Sequence, residues 1–155
     1  MNMGSGEATV VLTRNVGEYR RAARRLLEPG GRVLEVGCGF GRTVEVLAKS
    51  GYVVLGVDKS PEAVEEAKRR LGELKGAYVE VADGFDVRSV LDLVKRYLGE
   101  ADLVMIDVGG VEDPGRVLSL ARTYLKALKP RILVVKNRLL YGFVERCVLY
   151  KERFK

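Results

Sequence analysis

The sequence contains no histidine and no glutamine, and each absence limits what the protein can do. Without histidine, imidazole cannot serve as a general base or a metal ligand, which excludes hydrolases of the Ser-His-Asp type and His-ligated metal sites. The only cysteines, Cys38 and Cys147, are too few for a disulfide framework or a structural zinc site. A lack of glutamine beside abundant Arg, Glu and Lys is typical of proteins from thermophiles.

Long apolar runs are also missing from the sequence. No segment approaches the roughly 20 apolar residues that a membrane span requires, and the N-terminus lacks the pattern of a signal peptide. We therefore expect a cytoplasmic protein without membrane contacts. Its 155 residues, 47% of them hydrophobic, predict a single domain over 1–155 with a substantial core.

The net charge of +6 is concentrated at the C-terminal end. Residues 129–155 contain eight basic and two acidic residues, whereas the other 128 residues contain 19 of each sign. A second basic cluster, Arg20-Arg21-Ala-Ala-Arg24-Arg25, lies in the first predicted helix. Basic ends around a neutral middle favour an anionic partner, such as RNA, bound through the N-terminal helix and the C-terminal tail.

Apolar periodicity divides the chain into alternating strands and helices. Because each connection between strands is long enough for one helix, the strands must be parallel, with helices on both faces of the sheet. The last 18 residues fit either a helix, which we favour, or an antiparallel strand over 143–150. The predicted strands are 33–36, 52–57, 77–82, 103–106 and 132–135, and the predicted helices are 16–27 (capped by Asn15 or Thr13), 41–50, 61–71, 87–98 and 116–128.

Three glycines at alternate positions follow the strand 33–36 and lead into a helix. Missing side chains let a ligand approach the backbone, and a helix N-terminus offers N–H groups, so the turn is typical of a nucleotide site. Asp58, after the next strand, can bind a ribose diol, which suits NAD as well as other adenosine cofactors. A dinucleotide fingerprint, however, needs a glycine at position 42, where an arginine stands.

The segment Glu35-Val-Gly-Cys-Gly-Phe-Gly41 resembles motif I of the class I S-adenosylmethionine-dependent methyltransferases. Four later segments are similar to further motifs of that family, and the resemblance covers about residues 16–137. It implies a Rossmann-like three-layer αβα sandwich that uses S-adenosyl-L-methionine for methyl transfer. The later segments are Gly56–Ala63, Val81–Phe85, Ala101–Asp107 and Leu128–Val135.

The resemblance also implies cofactor contacts. Asp58 would hold both ribose hydroxyls, and Asp83 would contact the adenine amino group while an apolar neighbour stacks on the ring. Glu35 would orient the glycine turn or contact the methionine amino group, because a carboxylate on a buried strand needs a partner. The expected cofactor-binding residues are Glu35, Gly37, Cys38, Gly39, Gly41, Asp58, Lys59, Asp83, Gly84 and Asp107.

Asp107 and Lys136 are the candidate catalytic residues, at the ends of neighbouring predicted strands. Methyl transfer depends mainly on alignment of the acceptor, helped by a nearby base or cation. The alternative is a simple ion pair at the rim of the sheet. The pair also matches half of the Lys-Asp-Lys-Glu set of some RNA 2′-O-methyltransferases, although no lysine stands near Arg14 or Val16, where the first would fall. We expect RNA or another anionic acceptor, with a small-molecule acceptor as the alternative.

Family members normally continue beyond the strand 132–135 with another helix and an antiparallel strand pair, which 18 residues cannot supply. We therefore expect a minimal form whose strand 132–135 has an open edge. Such an edge predicts a homodimer or a partner subunit. A cofactor-binding subunit without activity of its own is one alternative function, and a nicotinamide-dependent reductase, which Arg42 argues against, is another.

Overall fold

The computed structural model describes residues 6–152, in which strands and helices alternate along the chain. Residues 153–155, which include two basic residues of the predicted C-terminal cluster, lie outside the described residues. The strands are β1 (Thr9–Thr13), β2 (Arg32–Val36), β3 (Val53–Asp58), β4 (Ala77–Val81), β5 (Leu103–Ile106) and β6 (Ile132–Lys136). The helices are α1 (Val16–Leu26), α2 (Arg42–Lys49), α3 (Pro61–Leu71), α4 (Val87–Tyr97), α5 (Pro114–Leu128) and α6 (Arg138–Glu145).

The six strands form one sheet in the order β1-β6-β5-β2-β3-β4, and every neighbouring pair is parallel. Helices α1, α2 and α3 cover one face, where Val33 and Leu103 belong to the core. Helices α4, α5 and α6 cover the other face, where Leu34 and Val104 belong to the core. Strands buried on both faces are continuously apolar, as in β5. The predicted three-layer αβα sandwich is confirmed, and no helix among residues 6–152 is long and apolar enough to cross a membrane.

The sheet has one strand more than the sequence analysis predicted. Strand β1 pairs in parallel with β6 from Thr9 opposite Ile132 to Thr13 opposite Lys136. The buried Thr13 hydroxyl donates to the Val135 carbonyl at 3.0 Å, which fixes the end of the strand. Because β1 lies along β6, the edge expected to be open is covered by the chain itself. The physical reason for expecting a partner chain at that edge is therefore removed.

Side-chain caps set the first residues of α1, α5 and α6. The Asn15 side chain accepts from the Glu18 N–H at 2.9 Å and caps α1, which leaves Thr13 in the strand. Helix α5 begins two residues earlier than predicted, because Asp113 caps it and Pro114 suits the first helical position. The favoured C-terminal helix is confirmed over Arg138–Glu145 as α6, which Asn137 caps, whereas residues 147–152 form neither helix nor strand.

Candidate functional site

A cavity of about 270 Å³ lies at the carboxyl ends of β2, β3, β4 and β5. Strand order reverses between β2 and β5, and open α/β sheets bind their ligands at such a switch point. The wall includes six of the residues predicted to bind the cofactor, namely Gly37, Asp58, Lys59, Asp83, Gly84 and Asp107. It also includes residues that were not predicted as site residues, namely Phe85, Val108, Gly109, Glu112 and Arg116.

Gly37 brings the glycine turn against the end of β5. Its φ is +86°, and a Cβ atom built there would lie 1.9 Å from the carbonyl oxygen of Asp107. A side chain at this position would therefore collide with backbone that also shapes the cavity. Gly39 has φ of +51° with nothing within 4 Å of a built Cβ, so only its backbone conformation favours glycine.

The backbone N–H groups of the glycine turn are mostly used within the protein. Gly37 and Cys38 donate to the Val57 carbonyl, and Gly41 donates to the Cys38 carbonyl. The Gly39 N–H donates to a carboxylate oxygen of β3. The turn thus offers a ligand its shape and close approach, because the N–H groups of these four residues already donate within the protein.

Asp58, at the end of β3, anchors the turn while facing the cavity. Its Oδ2 accepts from the Gly39 N–H at 2.9 Å, and its Oδ1 accepts from the Ser60 N–H at 3.0 Å. Each carboxylate oxygen can accept more than one hydrogen bond, so both retain capacity for a ligand hydroxyl. The turn-capping role and the ribose role considered for this residue are therefore compatible.

The Phe85 ring and the Arg116 guanidinium form the side of the cavity near β4. Asp83 accepts from the Phe85 N–H at 2.9 Å, which holds the backbone of the turn that carries Phe85. The Arg116 guanidinium lies 4.3 Å from the centre of that ring and pairs with Glu112 at 3.0 Å. Glu112 and Arg116 are four residues apart at the start of α5, which is the usual spacing of an ion pair on a helix. That spacing could have identified them as a pair from the sequence.

Asp107 and Lys136 form the ion pair that the sequence analysis offered as one interpretation. The Lys136 Nζ lies 2.9 Å from Asp107 Oδ2, and about a fifth of each side chain is exposed. Asp107 belongs to the cavity wall, whereas Lys136 lies just outside it. The pair thus stands between the cavity and the ends of β6 and β1.

Glu35 is buried beneath the glycine turn and does not reach the cavity wall. Burial raises the pKa of its carboxyl to about 8, and the negative charge of Asp107 adds to the shift while Arg20 opposes it. Neither the Glu35 Oε2 atom nor the Tyr19 hydroxyl has a partner within 3.5 Å among the described residues. The Glu35 carboxyl nevertheless lies close enough to the Tyr19 and Thr43 hydroxyls for weak hydrogen bonding, which lowers its pKa slightly against the effect of burial. A carboxyl that is buried with so little hydrogen bonding is a poor place for a negative charge.

Three more of the predicted cofactor residues lie outside the wall, namely Gly39, described above, and Cys38 and Gly41. The Cys38 side chain is buried, and burial raises the pKa of its thiol, so it is not a reactive thiolate. It lies against Gly56 of β3, where a built Cβ would be 2.7 Å from the Cys38 Cβ. Gly41 likewise allows contact with Ala67 of α3. Both residues serve the packing that holds the turn.

The charges of the cavity wall indicate which ligand it suits. The wall has four carboxyl groups, Asp58, Asp83, Asp107 and Glu112, against two basic groups, Lys59 and Arg116. An acidic wall favours a ligand with positive charge and hydroxyl groups and opposes the negative phosphates of a dinucleotide. A sulfonium, an ammonium group, a ribose diol and an adenine fit this donor and acceptor set.

Comparison with known proteins agrees with this chemistry. Residues 33–131 match the model of a family described as a methyltransferase domain. The chain is similar to ubiquinone biosynthesis O-methyltransferases, with 38% identity over 110 residues to one from Xanthomonas campestris and 31% over 118 residues to one from Azorhizobium caulinodans. Both alignments cover 70% of this chain but only 43% and 46% of the relatives, so the chain spans less than half of their length.

Solved structures support the same assignment. Magnesium protoporphyrin IX methyltransferase from Synechocystis, solved with bound S-adenosylmethionine, is 25% identical over 73% of this chain and 50% of its own, with a TM-score of 0.52. A TehB-like methyltransferase from Corynebacterium glutamicum, 24% identical over 84% of this chain and 70% of its own, shares the fold with a TM-score of 0.56. The chain therefore belongs to the class I S-adenosylmethionine-dependent methyltransferase family, whose cofactor is S-adenosyl-L-methionine.

Proposed function

We propose that this protein methylates a hydroxyl group of a small acceptor. The observation that carries the proposal is the half-buried Asp107–Lys136 pair beside the acidic cavity. When bound, S-adenosylmethionine supplies a methyl group on a sulfonium, which a nucleophile takes in a single displacement. The protein then has to orient the acceptor oxygen and favour its deprotonated form.

Each member of the pair has a distinct role in this proposal. Lys136 supplies a positive charge that stabilises the acceptor oxygen as it loses its proton. Asp107 lines the cavity and accepts from the Lys136 ammonium at 2.9 Å. It would thus keep the Lys136 charge, and the acceptor beside it, next to the bound cofactor. A hydroxyl that is already acidic, such as a phenol, gains most from a nearby cation.

The position of the basic clusters favours a small acceptor over RNA. Because β1 and β2 are parallel, α1 runs from the carboxyl edge of the sheet back to the amino edge. Arg24 and Arg25 lie in its last turn, near the start of β3, where the Tyr52 hydroxyl contacts the Arg24 carbonyl. This half of the N-terminal basic cluster thus lies at the opposite edge of the sheet from the cavity. The names of the relatives likewise refer to a small-molecule O-methyltransferase.

RNA remains a second candidate because of the exposed C-terminal end. Arg146 and Lys151 are exposed and follow α6, which begins beside Lys136 at the carboxyl edge. Incubating the protein with methyl-labelled S-adenosylmethionine and either total RNA or a small-metabolite extract separates the candidates. We expect label in the metabolite fraction, and label confined to RNA would overturn the proposal.

A cofactor-binding subunit without activity of its own is the other alternative, favoured by the short span of the chain relative to its relatives. It predicts binding of S-adenosylhomocysteine without transfer of label to any acceptor in the same experiment. Methyl transfer by the purified chain alone would exclude this alternative.

Replacing Lys136 with methionine is expected to lower kcat about 100-fold, because the acceptor loses its cation. Affinity for S-adenosylhomocysteine should stay within about twofold, since Lys136 lies outside the cavity wall. Lys126→Met, at an exposed position in the last turn of α5, is the matched control and should keep full activity. If K136M and K126M have equal kcat values, the ion pair is only structural.

Replacing Asp58 with alanine is expected to weaken binding of S-adenosylhomocysteine by about 10- to 100-fold. The variant loses the expected ribose contact and also the anchor of the Gly39 N–H, each a hydrogen bond to a charged group. Asp86→Ala is the control, because Asp86 likewise accepts from a backbone N–H as the cap of α4 but lies outside the cavity wall. If calorimetry shows the same loss of affinity in D58A and D86A, Asp58 does not contact the ligand and serves only to cap the turn.

A further inference from the structure

Asn137, the residue that caps α6, is a buried polar side chain whose hydrogen bonds reach beyond the helix. It is 0% exposed and follows Lys136 at the end of β6. Its Oδ1 accepts from the Leu140 N–H at 2.8 Å, which is the cap, while its Nδ2 donates to the Glu112 carbonyl at 3.0 Å. A buried amide with a hydrogen bond at each end is fixed in one orientation, so Asn137 joins two separate elements.

The second of these elements is the β5–α5 loop, residues 108–112, which forms one side of the cavity. Val108, Gly109 and Glu112 line the cavity. Within the loop, the Glu112 N–H donates to the Gly109 carbonyl at 3.2 Å. Among the described residues, Asn137 is the one side chain that hydrogen-bonds the backbone of this loop.

The backbone next to Asn137 makes a second link to the loop. The N–H of Arg138, the first residue of α6, donates to the Gly110 carbonyl at 2.9 Å. The Lys136 Nζ also lies against the loop, since a Cβ built on Gly110 would be 3.8 Å from it. The end of β6, the start of α6 and the loop are therefore joined at two carbonyls, and the Asp107–Lys136 pair lies beside this junction.

We propose that Asn137 is a positioning residue for the cofactor cavity. By holding the Glu112 carbonyl, it keeps the β5–α5 loop in the conformation that lines the cavity before any ligand binds. The cofactor then meets a preformed wall and does not have to supply the free energy that ordering the loop would cost. The inference concerns cofactor binding, so it does not depend on which acceptor is methylated or on the role of Lys136.

Asn137→Ser separates the two hydrogen bonds of this side chain. Serine caps a helix as well as asparagine does, but its shorter side chain cannot span both the cap and the Glu112 carbonyl. We expect S-adenosylhomocysteine to bind about tenfold more weakly in titration calorimetry, the effect of one lost buried hydrogen bond. Asn15→Ser is the matched control, because Asn15 caps α1 in the same way but lies outside the cavity wall, and it should keep the wild-type affinity.

Amide hydrogen exchange tests whether the effect passes through the loop. In the free N137S variant, residues 108–112 should exchange about tenfold faster than in the wild type, and saturating S-adenosylhomocysteine should restore slow exchange. The amides of α6 should stay protected with and without ligand, since the cap is kept. A purely structural Asn137 would lower the melting temperature in N137S without changing the affinity or the exchange of the loop.

Arg138→Pro removes the second link in a different way. Proline suits the first position of a helix, and the extended backbone of Asn137 (φ −157°, ψ 116°) accepts a following proline, so α6 is kept while the N–H to Gly110 is lost. Arg138→Ala keeps that N–H and is the control. We expect R138P, but not R138A, to bind S-adenosylhomocysteine about tenfold more weakly and to exchange faster in the loop.

Each outcome supports or overturns the inference. Wild-type affinity in N137S would overturn the role of Asn137, as would an equal loss of affinity in N137S and N15S. Weaker binding in N137S with unchanged exchange of the loop, or with wild-type affinity in R138P, would show that the loop does not set the affinity and would also overturn it. Because these measurements use no acceptor, they stand apart from the test of the methylation proposal.

Discussion

Replacing Gly37 with alanine is expected to lower the free energy of unfolding by roughly 4 kcal/mol or more, which places it among the most severe single substitutions. A residue with a side chain at φ of +86° costs about 1–2 kcal/mol. The larger cost is steric, because the new Cβ would lie 1.9 Å from the Asp107 carbonyl oxygen. Relief requires β2 and β5 to separate at the centre of the sheet.

Gly39→Ala is the matched control, in the same turn and also at positive φ. Nothing lies within 4 Å of a Cβ built there, so only the backbone cost of about 1 kcal/mol remains. Urea denaturation of the two variants measures the difference. Equal losses of stability would mean that the approach of the turn to Asp107 is not a close contact in the folded protein.

The centre of the sheet could be predicted because its sequence signals are local. Strands β2, β5 and β6 are apolar runs bounded by turn residues, as in buried parallel strands. Gly37 follows β2 and Asp58 ends the neighbouring strand β3, so parallel pairing alone brings them together. Most of the cavity wall follows from that register.

Strand β1 could not be predicted in the same way. Its sequence, Thr-Val-Val-Leu-Thr, is compatible with a strand but becomes one through pairing with β6, more than a hundred residues later in the chain. Local sequence gives no information on that pairing. The strand covers an edge that seemed open when only the order of elements was known.

Some side chains of the site also could not be placed from local sequence alone. Arg116 belongs to the cavity wall because α5 begins at Pro114, which places Arg116 in the first turn of the helix with its guanidinium against the Phe85 ring. The position of Glu35 is different, since its strand was predicted but the face it points to was not. It lies on the side covered by α1, below the cavity, and only the tertiary packing shows that its carboxyl is buried with no partner for Oε2 within 3.5 Å.

That carboxyl is expected to make the free energy of unfolding fall as pH rises from about 5 to 8. In the unfolded chain Glu35 loses its proton near its ordinary pKa of 4.5, whereas in the folded protein burial holds the pKa at about 8. Between these values the folded state binds a proton that the unfolded state does not, so the slope is negative. At about 1.4 kcal/mol per pH unit, the total loss is roughly 4 kcal/mol.

Glu35→Gln isolates this contribution from all other titrating groups. The variant should match the wild type at pH 5 and exceed its stability by roughly 4 kcal/mol at pH 8, because an amide needs no charge in the buried site. Glu62→Gln, which removes an exposed carboxyl from the first turn of α3, should differ from the wild type by a constant amount over that range. A pH-independent difference for E35Q would require Glu35 to be ionised in the folded protein.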